Sequence, residues 1–456
     1  MPNLNAQTDA IERRSHRSIP YAGTIAWGVV GLFVERMGSA SLRKRYQTAR
    51  LRALLYHAYE NVSFYRRRFD EAGFHPDQFH TLDDLQLVPI TRKADIRLAT
   101  DEEAIAKDCD ASLLYRLFTG GSTGEPTRLR FTRYEDRLLR TFRLLAVMRF
   151  GLRWRDRRSQ VRMDQAPPGR IDDSFFLPSQ TLHVFLPQEE MRANLRQFRP
   201  DMIRGYPSVL ALYAEQITDE DRLLIRPRFV TTDSEVLTEL ARERLEEAFH
   251  APVYDVYDCY ECNVIAYECP HRDSEGTRNG GYHLMDTSVV VEVLREEQPV
   301  PAGESGEIAL TSLHAWAAPL IRYLPGDVVE RGGHGCGCGA SNATLAKVFG
   351  RTHDMFLLPD GRLIHPKYLT SPMRPLMSVL RLYQIVQERS DCVVVKLQAI
   401  PGACIDEKEL TLVREKMQRM LGDRVTVSMK LVDEIPSEAN GKFRPYRSCV
   451  EEGAGK

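Results

Sequence analysis

Long hydrophobic runs, an excess of one charge and a cysteine framework are all missing from this sequence. Nothing in it approaches the roughly 20 consecutive apolar residues that a membrane span needs. The longest apolar run near the N-terminus, Thr24 to Val34, is too short, is followed by Glu35 and Arg36, and lacks a small-residue cleavage site. It reads as a buried or partner-facing helix rather than a span, a secretory signal or a membrane-surface anchor. The 62 basic and 63 acidic residues cancel. That removes the basic excess typical of nucleic-acid binders, so no nucleic-acid partner is expected. Nine cysteines in 456 residues are too few and too unevenly placed for a disulfide scaffold, and a reducing, cytoplasmic setting is expected. What remains is an ordinary globular composition, long enough for roughly two or three domains.

Periodicity supplies the architecture. Between residues 41 and 75, Leu51, Leu54, Leu55 and Ala58 recur near a helical period and stop around Gly73, which predicts a helix. Pro89 to Asp95 reads as a turn into another helix, with Thr91 as its N-cap. Tyr115 to Phe118 and Leu129 to Thr132 are candidate strands flanking a glycine-rich loop, and residues 135–150 are again helical. From 180 to 330, short apolar segments (Leu182 to Leu186, Phe229 to Thr232, Val253 to Tyr257) alternate with helical ones (Val209 to Gln216, Glu239 to Phe249). This alternation is an α/β pattern with buried strands. Val289 to Leu294 and Gly306 to Leu310 read as antiparallel strands. Beyond Gly350 the pattern becomes β-β-α-β: Leu380 to Val386, Cys392 to Leu397, a helix from Asp406 to Leu421, and Val425 to Val432. A small α+β domain joined by a hinge near Arg351 is expected.

Two distant segments carry the most chemistry. In Thr119-Gly-Gly-Ser-Thr-Gly-Glu-Pro126, the hydroxyls of Thr119, Ser122 and Thr123 and the unobstructed N–H groups around Gly121 and Gly124 can wrap a polyphosphate. It is no Walker loop, since no Gly-Lys-Ser/Thr follows, and taken alone it is ordinary turn material. In Glu438-Ala-Asn-Gly-Lys442, a lysine after a glycine offers one mobile positive charge.

After the loop, further segments follow in order: Gly205-Tyr-Pro-Ser208, Ser234-Glu235, Tyr257-Asp-Cys-Tyr-Glu261, Leu320-Ile-Arg-Tyr-Leu-Pro-Gly-Asp327, Gly350-Arg-Thr-His-Asp354 and Ala439-Asn-Gly-Lys442. Each is weak alone; in this order they resemble the AMP-forming adenylation superfamily, most of all its branch of phenylacetate–CoA ligases and capsule-biosynthesis enzymes. The resemblance runs from Asn61 to Lys442. It implies an α/β fold with a large multi-subdomain N-terminal adenylation domain over 1–350, carrying a helical extension over the first 80 or so residues. A small mobile α+β C-terminal domain over 351–456 would carry Lys442.

The resemblance also implies roles. Lys442 would stabilise the charge that builds on the α-phosphate of ATP as a carboxylate attacks it. Glu261 would help hold Mg²⁺, a hard cation that prefers anionic oxygen ligands. Tyr257 and Asp258 would border the adenine, with Ser234 and Glu235 completing the nucleotide site. Asp327 would accept hydrogen bonds from the ribose hydroxyls, and Arg351 would contact ribose or phosphate. Tyr206 and Pro207 would wall the pocket for a small carboxylic acid, an aryl or arylacetic acid being the first expectation. Gly361 would line the channel of the acceptor, with CoA expected first and the phosphopantetheine of an acyl carrier protein or an amine as the alternatives. Departures from the family pattern are Glu125 in place of lysine, so that one phosphate contact is either absent or replaced by Arg128 or Arg130, and Asp258 and Tyr260 in place of smaller residues. The usually acidic hinge position falls on His353, with Asp354 beside it. A catalytically silent nucleotide-binding relative is the alternative these departures raise. A homodimer stays open as an option.

A second constellation combines Cys269, His283, Cys336 and Cys338. The Cys-x-Cys can present two thiolates to one ion, and Cys269 with His283 would complete a tetrahedral Cys₃His set of the kind that holds structural Zn²⁺. Cys262 and His271 are alternative fourth ligands, and reduced, unliganded cysteines are the bland alternative. In relatives the resemblance points to, a metal staples this segment.

Overall fold

The computed structural model describes residues 21–118, 128–162, 178–271, 280–334, 336–351, 354–364, 366–438 and 442–450. They divide into two compact units, one of residues 1–153, 254–325 and 329–348, the other of 154–253, 326–328 and 349–456. Among the described residues, no helix is long and apolar enough to cross a membrane.

In the first unit, the helix expected over 41–75 is two helices, Ala40–Asn61 and Ser63–Glu71. Val62 between them is extended (φ −120°, ψ 107°) and buried, so the chain turns there instead of continuing the helix. Leu51, Leu54, Leu55 and Ala58 are all fully buried, packed with Phe64, Tyr65 and Phe69. The apolar run near the N-terminus lies in the helix Tyr21–Met37, which buries Val34 but leaves Val29, Val30, Phe33 and Met37 exposed. Thr91 is not an N-cap. Its N–H donates to the Arg322 carbonyl as Thr91–Arg92 pairs in parallel with Tyr323–Leu324, and sheet pairing has claimed the residue. The cap passes to Arg92, whose N–H donates to Asp95.

The sheet strands lying mostly in this unit are, in order, Thr91–Arg92, Tyr323–Leu324, Ser305–Ser312, Asp327–His334, Ala343–Arg351, Tyr282–Leu284, Asn263–Glu268 and Val253–Cys259, of which residues 253, 327–328 and 349–351 fall in the second unit. The expected antiparallel pair is Val289–Arg295 on Ser305–Ser312, from Val289↔Ser312 to Leu294↔Glu307. A buried carboxylate ties the helix Arg133–Arg149 to a remote segment. Glu135 closes a capping box with Thr132 and also accepts the N–H groups of Trp316 at 2.6 Å and Ala317 at 2.9 Å.

In the second unit, the strands Phe229–Thr232, Met202–Gly205, Arg158–Arg162 and Ser179–His183 lie side by side in that order, all parallel. Every residue of Met202–Gly205 and Phe229–Thr232 is buried, as in sheets covered on both faces. The helices Gln188–Phe198, Pro207–Ala214 and Glu239–Phe249 make the connections that parallel pairing requires. The β-β-α-β module forms Leu380–Arg389, Cys392–Ala399, the helix Glu407–Leu421 and Thr426–Leu431. A strand absent from the sequence reading, Tyr446–Ser448, adds in parallel to Leu380–Arg389. It is too short to show a period, and only its partner strand reveals it. Leu240 of the Glu239–Phe249 helix shares one buried cluster with Leu369, Tyr383 and Ile385, so this module packs onto the α/β layer within the unit. The segment bearing Lys442 lies between Thr426–Leu431 and Tyr446–Ser448, and its far end is fixed by Ile385 N–H donating to the Pro445 carbonyl at 2.9 Å.

Removing a buried acceptor strands its donors, so Glu135→Ala is expected to lower the unfolding free energy by about 3 kcal/mol. Urea titration checks this, with Glu135→Gln expected to fall between the mutant and the native chain.

Candidate functional site

The second unit gathers several of the expected site residues around Lys442. Tyr206 is buried at the start of the helix Pro207–Ala214, with Pro207 in its first turn, where a missing N–H does no harm. After the strand Phe229–Thr232 the chain turns through Ser234, a non-glycine residue at φ +68°. Backbone of this rare kind clusters at functional sites. The Lys442 ammonium lies 3.4 Å from the Ser234 carbonyl and 5.6 Å from the centre of the Tyr206 ring. Glu235 accepts the Ser208 N–H at 3.1 Å, the Ser208 hydroxyl at 3.0 Å and the Phe443 N–H at 2.7 Å. As a residue it keeps partial exposure, yet its carboxyl is enclosed. Burial pushes it up to about 7, against the downward pull of the Phe443 and Ser208 hydrogen bonds and of Lys442.

Asp327 and Arg351 are paired at 3.1 Å, with Asp327 buried and Arg351 partly exposed. Beyond them, Asp354 is buried against Arg444, which also reaches Glu438 at 3.4 Å. Burial raises Asp354 to about 6 even though Arg444 opposes it. Arg444 thus links the start of the C-terminal module to the Lys442 segment, a connection no sequence motif signals. Gly361 sits at the tip of the hairpin Phe356–Leu357 and Leu363–Ile364, at φ +83° with open space beside it.

The first unit carries Tyr257, Asp258 and Glu261. Tyr257 is buried in the strand Val253–Cys259, and Glu261 accepts a hydrogen bond from the Tyr323 hydroxyl at 3.0 Å. Asp258 is ion-paired with Arg143 of the helix Arg133–Arg149. The same guanidinium donates to Asn263 at 2.8 Å, closing both sides of the turn that bears Glu261. Sequence reasoning missed Arg143, because a mid-helix arginine 115 residues away gives no local signal. Thr119, Gly121, Ser122, Thr123 and Gly124 lie outside the described residues, as does His353. The ends of their loop are set by antiparallel pairing of Tyr115–Phe118 with Arg128–Phe131. Of the two arginines proposed to replace a phosphate contact, Arg130 is buried and paired with Asp101, while Arg128 is exposed.

The Cys/His constellation also lies in the first unit. The ligand atoms of Cys269, His283, Cys336 and Cys338 all fall within 4.8 Å of one another. Cys269 and Cys336 sulfurs are 3.5 Å apart, and the Cys338 sulfur is 3.4 Å from His283 Nε2. Burial is the main cause that lowers His283 to about 4, leaving the neutral ring a ligand needs. A Cβ on Gly280 would meet the sulfurs of both Cys269 and Cys336, so glycine keeps that space clear. The antiparallel strands Tyr282–Leu284 and Ala343–Arg351 bring His283 beside the Cys-x-Cys segment.

Comparison with known proteins places this geometry in context. Residues 356–447 match the CapK C-terminal domain family. The phenylacetate–coenzyme A ligase of Thermus thermophilus is 25% identical over 452 aligned positions, covering 87% of this chain and 94% of that enzyme. The phenylacetate–coenzyme A ligase of Escherichia coli is 26% identical, covering 81% of this chain and 84% of that one. The crystal structure of 2-hydroxyisobutyryl-CoA ligase in the postadenylation state, in complex with R3-HIB-AMP, has the same fold. Its TM-score is 0.75 at 22% identity, covering 91% of this chain and 90% of its own.

Arg143→Met would take the guanidinium away from the largely buried Asp258 beneath the turn. The unfolding free energy is expected to drop by about 3 kcal/mol, and Asp258→Asn in the same chain to recover more than half of it, both read by urea denaturation.

Proposed function

Because the chain belongs to the AMP-forming adenylation superfamily, in the branch of phenylacetate–CoA ligases and CapK proteins, we propose that it is an ATP-dependent acid–thiol ligase. A carboxylate attacks the α-phosphorus of ATP, the bond to the pyrophosphate leaving group breaks, and acyl-AMP forms. A thiol then attacks the acyl carbon, releasing AMP and a proton and leaving a thioester. The observation that carries this reading is the placement of Lys442 beside Ser234 and Tyr206, in the unit that also holds the Asp327–Arg351 pair.

In this reading the Lys442 ammonium offsets charge building on the phosphoryl oxygens, a preorganised electrostatic contribution of several kcal/mol. Asp327 exchanges its bond with Arg351 for the ribose hydroxyls, which frees Arg351 for phosphate. Glu261, with the residue 119–124 loop, serves the triphosphate side, where bound Mg²⁺ would supply charge neutralisation. Tyr257 and Asp258 face the adenine, and Arg143 keeps Asp258 from adding bare negative charge there. Tyr206 and Pro207 wall the acid, for which an aryl or arylacetic acid is the preferred class on the names of the relatives. Gly361 lines the path of the thiol, with CoA ahead of a carrier-protein phosphopantetheine. The small domain begins at 351, turns between the two steps, and the enzyme works in the cytoplasm. The Cys269, His283, Cys336 and Cys338 set fits structural Zn²⁺ by donor type and mutual distance. It would staple the strand ends around 269, 283 and 336–338 rather than take part in the chemistry.

Acid-dependent exchange of pyrophosphate into ATP tests the reaction. Lys442→Ala is expected to reduce it by about a hundredfold or more, and a screen of aryl, arylacetic and aliphatic acids identifies the substrate. ATP binding with no exchange on any acid would favour the silent relative. Thioester formation on a carrier protein but not on CoA would replace the acceptor. Metal analysis of the purified chain is expected to find about one zinc per molecule, lost together with thermal stability in Cys336→Ser/Cys338→Ser; native protein that folds free of zinc would remove the site.

A further inference from the structure

We propose that Glu235 is a positioning residue that seats the Lys442 segment for acyl-adenylate formation, and that its bond to the Phe443 N–H is among the contacts released before the thioester step. The proposal rests on the ligase reading above. The resemblance that places Ser234-Glu235 at the nucleotide site would have this side chain face the ligand. In the structure its oxygens face the protein instead. One accepts the Phe443 N–H at 2.7 Å and the Ser208 hydroxyl at 3.0 Å, and the other accepts the Ser208 N–H at 3.1 Å.

Phe443 directly follows Lys442, so this bond holds the backbone one residue from the lysine. The ammonium itself is 3.4 Å from the Ser234 carbonyl, near the outer limit of a hydrogen bond. The Phe443 bond to a carboxyl oxygen, at 2.7 Å, is short and firm. Ser208 lies in the first turn of the helix Pro207–Ala214, whose N–H groups have no partner within the helix. Glu235 therefore bridges the start of that helix and the Lys442 segment. The turn at Ser234 (φ +68°) arranges both contacts: it aims its own carbonyl at Lys442 and delivers the next residue to Phe443.

On the other side of Phe443, Arg444 pairs with Asp354 and Glu438, which belong to the same C-terminal segment as Lys442. Those pairs travel with Lys442 when the small domain turns. The Glu235 bond joins that domain to the α/β layer and must break. Burial that holds the carboxyl near 7 agrees with a group enclosed by the seated segment.

The test uses the full-length chain with Glu235→Ala and Glu235→Gln. Hydrogen exchange at the Phe443 amide, read from peptides spanning 438–446, needs no substrate. It is expected to accelerate by about tenfold or more in Glu235→Ala, and less in Glu235→Gln, which keeps one acceptor oxygen. With phenylacetate as probe, pyrophosphate exchange is expected to fall by about tenfold in Glu235→Ala, with partial rescue in Glu235→Gln. Release of thioester from supplied phenylacetyl-AMP and CoA should fall much less. Unchanged exchange at Phe443 in both variants would overturn the proposal, as would equal slowing of the two steps. Should Glu235→Ala fail to fold, Glu235→Gln and Ser208→Ala are expected to show the same directions at smaller size, and their agreement with native Phe443 exchange would equally overturn it. Failure of the ligase reading is separate: the native chain would lack pyrophosphate exchange while the Phe443 amide still responded.

Discussion

The Lys442 segment is tied down by a hydrogen bond that does not involve the lysine side chain, from the Phe443 N–H to Glu235 at 2.7 Å. In the proposed ligase, Lys442 has to be delivered and yet preorganised, and these requirements conflict if the ammonium itself is clamped. Holding the adjacent backbone resolves the conflict. The position of the Cα is set through the backbone, one residue from the ammonium. Arg444, bound to Asp354 and Glu438, then keeps the segment in register with its own module.

The same device recurs in both units. Glu135 binds the N–H groups of Trp316 and Ala317, and Glu35 binds the N–H and hydroxyl of Thr287 and the side-chain amide of Asn342. In each case a buried carboxylate joins segments far apart in sequence by satisfying donors that would otherwise lack partners. Such groups are poor general stabilisers, since desolvation offsets much of what the bonds contribute, but breaking one side is severe. Their value is in specifying which segments meet. A glutamate's sequence neighbours carry no trace of this, because an exposed helix-start acid and a buried cross-link look alike in one dimension.

One departure from the family pattern, Asp258, is answered in a similar way. Asp258 looks disruptive in isolation, and the Arg143 guanidinium, arriving from another element, makes it half of a paired and mostly buried set. The candidate metal ligands are legible by residue type, since Cys-x-Cys amid glycines has little packing use. Their mutual distances depend on the pairing of Tyr282–Leu284 with Ala343–Arg351, which no spacing rule supplies. The fold class and most strands and helices are legible as well, because burial imposes a period of 2 or 3.6 on any element with one buried face. Thr91 and Tyr446–Ser448 escaped for the complementary reason. A two- or three-residue strand has no period, and its partner alone defines it.

Residue chemistry and order along the chain were thus enough to determine the α/β architecture, the β-β-α-β order of the C-terminal module and the candidacy of Lys442, Asp327, Arg351 and Glu261. These depend on local pattern and on side-chain type, which the sequence carries directly. Tertiary structure alone decided that Glu235 turns to Ser208 and Phe443, that Arg143 answers Asp258, and that Asp327 meets Arg351. Each is a contact between residues tens to hundreds of positions apart. Hydrogen-bond geometry depends on distances of a few tenths of an ångström, and only the packed chain sets those.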